Sequence, residues 1–287
     1  MKFTGERLIP KINKNTAFYH EHLNRYLFAC QFSKNKTVLD CACGTGYGSF
    51  LLSQYGKATN VTGVDISKET IKYANHHYSL PNIKYLIDNV ESLNYLKPNS
   101  FDQIISFETI EHINNPSIAV ENFKKVLAKN GLLIISTPNI DNYSNHNQFH
   151  LHELNYQSFQ KILKNNFKNV EIINQKYFLS QQIYSQNSEK FLFNKQTFQK
   201  FNAINLNLNK YLEKPEYFIA LCSDSSLPKY SSQNISTNLI DNLNLSYGII
   251  PLENKIFQLE KQLSEITSSK FFKLWPLYCQ LKKIFKI

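Results

Sequence analysis

The sequence predicts an α/β fold built on a doubly wound parallel sheet, and three observations carry that expectation. Short apolar runs suited to buried strands recur at about 37–41, 60–65, 83–87, 103–107 and 131–137. Amphipathic helical patterns lie between them at about 46–55, 68–77 and 116–128. The first strand runs straight into a glycine-rich bend, Asp40-Cys-Ala-Cys-Gly-Thr-Gly-Tyr-Gly48. Strands alternating with helices in this way lie parallel in one sheet with helices on both faces.

Taken in chain order, residues 16–32 carry Ala17, Leu23, Tyr26, Leu27 and Cys30 at near-helical spacing, an amphipathic helix leading into the first strand. The glycines at 44, 46 and 48 let backbone amides approach a ligand without side-chain obstruction. The second strand, Val61-Thr-Gly-Val-Asp65, ends in a carboxylate placed to accept hydrogen bonds from both hydroxyls of a ribose, or else to cap the helix that follows. Pro116 suits a first helical turn with Asn115 as cap, Ala119, Phe123, Val126 and Leu127 form the buried stripe, and Gly131 closes the helix. Asn155 opens another helix, with Leu154 and Phe159 spaced as a hydrophobic staple. Further strands are expected near 169–178 and 216–223.

A length of 287 residues favours one main domain with an appendage, and 42% hydrophobic residues suffice for a core. The net charge of +10 comes almost wholly from lysines scattered through an Asn- and Ser-rich background. Nucleic-acid binders focus such charge into a stripe, so no nucleic acid is expected as partner. The five cysteines (30, 41, 43, 222, 279) include no Cys-x-x-Cys pair, which argues against a disulfide framework or a zinc site built on thiolates. The N-terminus lacks the apolar run of about 7–15 residues of a secretory signal, and no stretch approaches the ~20 apolar residues of a membrane span. A reducing cytoplasm is the expected compartment.

The glycine bend and Asp65 together point to a nucleoside ligand. A dinucleotide fingerprint needs a third glycine where this chain has Ser49. The alternating glycines preceded by Asp40 instead resemble motif I of the class I S-adenosylmethionine (SAM) dependent methyltransferases. The runs Phe101-Asp-Gln-Ile-Ile-Ser-Phe-Glu-Thr-Ile-Glu-His-Ile113 and Lys129-Asn-Gly-Leu-Leu-Ile-Ile-Ser-Thr-Pro138 resemble that family's fourth strand with its acidic loop and its fifth strand. The resemblance covers about 37–138. It implies a Rossmann-like sheet of seven strands in the order 3-2-1-4-5-7-6, with strand 7 antiparallel. It also implies SAM as cofactor, held by Asp40, Cys41, Ala42, Gly44, Gly46, Asp65, Ile66, Asp88, Asn89, Phe107 and Glu108. Asp88 resembles the contact to the adenine amino group, or is a plain helix cap, and Arg25 the partner of the methionine carboxylate, or is a surface arginine.

In such a sheet the ligand lies outside the carboxyl ends of the parallel strands. Glu111 and His112 follow strand four, and His150, His152 and Glu153 follow strand five, so these are the catalytic candidates. An imidazole suits removal of a proton from an acceptor hydroxyl. His150-x-His152-Glu153 also fits a metal, because alternate residues of an extended segment share a face, but no third spaced ligand accompanies it and none is expected. Segment 179–215 is too long for an ordinary hairpin loop and is expected to be a substrate lid.

The methyltransferase domain is thus expected at 1–223, followed by a linker at 224–250 and an amphipathic helical tail at 251–287. The tail alternates apolar residues with Lys, which suits an anionic membrane face, self-association, or packing on its own domain. Phe3-Thr-Gly-Glu-Arg7 and Phe149-His-Leu-His-Glu153 resemble a methyltransferase subgroup associated with glycan and surface-polysaccharide assembly, which implies a sugar hydroxyl as acceptor. Glu111-His112 also resembles quinone-pathway O-methyltransferases, the alternative, and a SAM-binding scaffold without turnover is a third reading.

Overall fold

The computed structural model describes residues 8–9, 16–142, 149–176 and 214–231. Most of the expected lid, the linker beyond residue 231, the tail and the Phe3–Arg7 motif lie outside the described residues. The chain divides into two compact units, Met1–Lys14 with Tyr19–Ile235 and Asn15–Phe18 with Ser236–Ile287, and the sheet lies wholly in the first.

The elements run α1 (Ala17–Cys30), β1 (Thr37–Cys41), α2 (Tyr47–Gln54), β2 (Asn60–Asp65), α3 (Lys68–His77), β3 (Ile83–Ile87) and β4 (Phe101–Ser106). A short 3-10 turn at Ile110–His112 follows, then α4 (Pro116–Val126), β5 (Leu127–Pro138), α5 (Tyr156–Lys164), β6 (Asn169–Gln175) and β7 (Tyr217–Ser223). The sheet order is β3-β2-β1-β4-β5-β7-β6, as the family resemblance implied. The first five strands pair in parallel and β7 runs antiparallel to both β5 and β6. β7 is buried along its whole length, which is why its seven residues, Tyr-Phe-Ile-Ala-Leu-Cys-Ser, read as a continuous apolar run and not as an alternation.

The helix termini follow the sequence signals. Asn115 accepts from the Ile118 amide with Pro116 in the first turn. Asn155 and Ser158 form a reciprocal capping box, and Leu154 and Phe159 are both buried in the core on either side of it. That core lies between the sheet and α4 and α5, where Phe123, Phe159, Leu163 and Phe218 pack on Ile104, Leu133 and Ile135.

Two boundaries differ from expectation. Helix α4 ends at Val126, and Gly131 lies within β5 instead of closing the helix. Leu127 already turns to extended backbone with ψ 135 and pairs with Phe101, and the ladder then slips before Leu132 meets Gln103. The Leu127 side chain packs onto Gly131, where a Cβ would stand 2.6 Å from it, so the glycine accommodates the slip. β4 also starts two residues early, at Phe101, because that residue joins the same slipped ladder.

Candidate functional site

The carboxyl ends of β1, β2, β3 and β4 open on one pocket of about 430 Å³. The bend after β1 forms its floor. Ala42 (φ 54), Gly44 (φ 54) and Gly46 (φ 86) all take left-handed backbone, which turns the chain sharply from β1 into α2. A Cβ on Gly44 would meet nothing within 4 Å, because it would project into the pocket. At Gly46 the same atom would stand 2.7 Å from the Ala74 Cβ, so that glycine serves helix packing while Gly44 serves the ligand side.

Asp65 is held by its neighbours in one orientation. Its Oδ2 accepts the Gly44 amide at 3.1 Å and its Oδ1 the Ser67 amide at 2.8 Å. The N-cap of α3 is Ser67, whose hydroxyl accepts from the Thr70 amide, so Asp65 is not needed as that cap. Asp88 is fixed in the same manner by the amides of Asn89 (2.8 Å) and Tyr95 (3.2 Å). A carboxylate tied down by amides keeps lone pairs aimed at a ligand without spending ligand binding energy to order itself.

Asp40 lies off the pocket lining. It is fully buried beneath the bend, where it accepts from Ser49 Oγ at 2.6 Å and Tyr26 Oη at 3.0 Å. Burial pushes its carboxyl up to about 7, against the two hydrogen bonds that favour the charged form. Cys41 is buried beside it, also off the lining. Ile66, Asn89, Phe107 and Glu108 all line the pocket.

Arg25 is 1% exposed on α1 and does not line the pocket. Its Nη1 donates to Gln175 Oε1 at 2.8 Å and stands 3.7 Å from Glu108 Oε1, and its guanidinium lies 4.7 Å over the Tyr217 ring. Among the described residues its Nε and Nη2 have no hydrogen-bond partner, and the same is true of the Tyr47 hydroxyl on the pocket wall. Buried donors without acceptors are costly, and a ligand carboxylate in the pocket would satisfy the Tyr47 hydroxyl, which faces it. Tyr47 follows directly from the glycine bend as the first residue of α2, so its place at the pocket was implicit in the motif, but its role was not foreseen.

The acceptor side is built by the turn after β4 and the segment before α5. Glu108 takes φ 49, and its amide donates to Ser136 Oγ, which donates back to Glu108 Oε1 at 2.7 Å. The following turn carries Glu111 and His112. The amides of Leu151 and His152 both donate to the Glu111 carbonyl, which docks the His150 segment on this turn. The rings of His112 and His150 therefore meet edge to face, 4.9 Å apart.

His112 Nδ1 lies 3.0 Å from the Phe149 carbonyl oxygen, which can only accept, so Nδ1 carries a proton and in the neutral ring Nε2 has the lone pair. His112 Nε2 stands 3.8 Å from Glu111 Oε1. Glu111 is buried, and neither carboxylate oxygen makes a hydrogen bond of normal geometry among the described residues, though the Thr137 hydroxyl lies near enough to soften its shift. Burial pushes this carboxyl well above the usual carboxylate range, and the charge of Glu108 adds to the effect. Burial likewise lowers His150, helped by His112.

Behind the cluster is a second cavity of about 10 Å³, room for one water-sized occupant, lined by Glu111, Thr137, His150, His152 and Glu153 among others. His152 Nε2 is 2.9 Å from the Asn114 carbonyl oxygen, and Glu153 Oε1 is 4.0 Å from His150 Nδ1. The structure thus brings His112 and His150 into contact, while His152 and Glu153 line the small cavity and not the large pocket. Glu111 was placed in sequence beside His112, but nothing in the sequence told that it alone would turn inward.

Comparison with known proteins agrees with this geometry. Residues 32–185 match a family model described as a methyltransferase domain. A Mycolicibacterium smegmatis protein named a probable S-adenosylmethionine-dependent methyltransferase is 28% identical over 169 residues, 57% of this chain and 64% of that protein. A ubiquinone biosynthesis O-methyltransferase of Pelagibacter ubique is 34% identical over 108 residues, 37% of this chain and 43% of that one. The chain thus spans less than two thirds of the length of either relative. The crystal structure of a SAM-dependent methyltransferase from Archaeoglobus fulgidus shares the fold at 17% identity with a TM-score of 0.53, covering 74% of this chain and 96% of that one.

Proposed function

The chain belongs to the class I SAM-dependent methyltransferases, and from that premise we propose that it is an O-methyltransferase acting on a hydroxyl of a sugar or glycan intermediate. SAM supplies an electrophilic methyl group and a neutral thioether leaving group. The protein's own part is to align the acceptor, worth about 7–11 kcal/mol in well-oriented cases, and to take the hydroxyl proton.

The residues present fit the cofactor. Gly44 leaves open space where a nucleoside would lie, Asp65 offers a fixed carboxylate to ribose hydroxyls, and Asp88 with Asn89 offers polar groups to an adenine. The orphan hydroxyl of Tyr47 on the pocket wall suits the amino-acid end, and Arg25, off the lining, bears on it only through Tyr47 and Glu108. Asp40 serves at one remove, by bracing the bend through Tyr26 and Ser49.

The observation that carries the O-methylation reading is an imidazole on the pocket wall, His112, whose Nδ1 is engaged by the Phe149 carbonyl so that Nε2 is left to take a proton. A base there is what an oxygen acceptor needs before it can attack. Around His112 the wall mixes Glu91, Thr109 and Asn114 with Phe107 and Ile113, so it offers polar partners to a hydroxyl-bearing acceptor. A second reading, methylation of a quinone-type phenol, is supported by the ubiquinone biosynthesis O-methyltransferases among the relatives.

Purified protein given SAM with a labelled methyl group, then incubated with fractionated cell extract, distinguishes them. Label in an ether of the carbohydrate fraction supports the first reading and label in the lipid fraction the second. Label on nitrogen, or tight SAM binding with no labelled product, overturns O-methylation. We also propose the cytoplasm as compartment and the tail 251–287 as a contact for an anionic membrane face or a second copy. Its deletion without change in membrane fractionation or oligomer size removes those roles.

A further inference from the structure

We propose that Glu111, His112 and His150 bind one divalent transition-metal ion where the large pocket meets the small cavity behind it. One ligand atom from each of the three lies within 4.8 Å of the others. Ligands about 2.0–2.2 Å from a zinc-sized ion stand roughly 3–4 Å apart in a tetrahedron. The 3.8 Å between His112 Nε2 and Glu111 Oε1 already fits that spacing and is too long for a hydrogen bond. The ligand atom of His150 lies within 4.8 Å of both.

Glu111 supplies the independent sign of a missing ligand. It is 1% exposed, neither carboxylate oxygen makes a hydrogen bond of normal geometry among the described residues although the Thr137 hydroxyl is near, and it lines the cavity that has room for one small occupant. Buried carboxylates without donors are found paired or coordinating a metal, because otherwise their desolvation is uncompensated. The Phe149 carbonyl holds His112 with its Nε2 lone pair toward Glu111, the outer-shell arrangement typical of a ligating imidazole.

Two imidazoles and one carboxylate suit Zn²⁺, Mn²⁺, Fe²⁺ or Co²⁺ better than Mg²⁺ or Ca²⁺, which prefer oxygen ligands throughout. Three protein ligands leave a coordination position open, and His112 faces the large pocket. An ion at that place lowers the pKa of a hydroxyl that reaches it, so with the ion bound His112 promotes proton loss through the ion, and by its own lone pair without it. That last consequence rests on the methyl-transfer reading, whereas ion binding does not.

The test is calorimetric titration of the full-length, chelator-treated protein with Zn²⁺ and with Mn²⁺, SAM absent, followed by SAM titration of the same samples. One ion per chain is expected. Glu111→Gln and His150→Ala should each weaken it by at least about 100-fold, the upper end of what loss of an outer-shell partner alone costs. His77→Ala, on the exposed His76-His77 pair of α3, should leave it unchanged. Unaltered SAM affinity in the two ligand variants establishes that they fold. No stoichiometric binding of either ion, or wild-type affinity in both ligand variants, overturns the site. Metal binding without SAM binding would leave the site standing and remove the methyl-transfer reading.

Discussion

Tyr26 donates its phenolic hydroxyl to Asp40 Oδ1 at 3.0 Å, and this bond ties α1 to the end of β1 beneath the glycine bend. The Tyr26 ring also packs edge to face on Tyr47 and on Phe107, two residues of the pocket wall. One aromatic side chain thus links the N-terminal helix to both the cofactor side and the acceptor side of the pocket.

Gly48→Ala should break this link. A Cβ at residue 48 would stand 2.0 Å from the Tyr26 ring, too close to be absorbed without moving the ring or α1. Overpacking of this kind costs about 1–3 kcal/mol, so a lower melting temperature and weaker SAM binding are expected together. A variant that melts and binds as wild type would show that the ring moves freely.

Asp40 sets a pH dependence whose sign follows from its burial. The folded protein keeps the proton up to about pH 7, whereas an unfolded chain releases it near pH 4. The folded state therefore binds more protons between those values. This contribution to stability is fully present below about pH 4, is lost as pH rises toward 7 and is level above it, and it is on the order of a few kcal/mol. Asp40→Asn should lose less melting temperature than wild type between pH 5 and pH 8. Parallel curves for the two would remove the assignment.

Asp65→Ala should weaken SAM binding by roughly 10–100-fold, because charge-assisted hydrogen bonds contribute about 1.5–3 kcal/mol. Some of that loss arises in the protein itself, since the Gly44 amide also loses its acceptor. Titration calorimetry measures the first effect and amide exchange at Gly44 the second.

His112→Ala should lower kcat by about 10²–10⁴-fold, the range for loss of a positioned proton acceptor, whether its Nε2 takes the proton or holds an ion that acidifies the hydroxyl. Its SAM affinity should stay within a few fold of wild type, because the carboxylates of Asp65 and Asp88 are fixed by backbone amides and not by His112. Single-turnover methyl transfer with the labelled acceptor fraction separates the two quantities.

Phe159→Ala should cost about 3–5 kcal/mol of stability. Its ring is fully buried in the α4–α5 core and stacks on Phe218 at 6.4 Å, in a layer remote from the pocket. Chemical denaturation should show the loss, with SAM affinity unchanged under native conditions.

Much of this was legible in the linear sequence where the controlling interaction is local. Asn115 with Pro116, and Asn155 with Ser158, are helix starts decided within four residues, and the structure places both as expected. Gly131 misled because its role depends on a partner across the ladder: Phe101 pairs with Leu127 and draws it into β5 before the glycine is reached. The positions of β6 and β7 in the sheet came from family likeness, since no local pattern tells an antiparallel insertion from an added edge strand.

The sequence by itself determined the ligand-facing bend, because glycines at 44 and 46 can take the left-handed backbone that a tight turn from strand to helix requires, and it determined Asp65 as a strand-end carboxylate. Tertiary structure decided what the charged residues do. Asp40 turned under the bend to Tyr26 and Ser49, Arg25 was buried against Glu108 and Gln175, and Glu111 met His112 and His150 only because the segment before α5 hydrogen-bonds to the turn after β4. The physical reason is range: backbone sterics act within a few residues, whereas the cost of burying a charge is set by groups that arrive from anywhere in the chain.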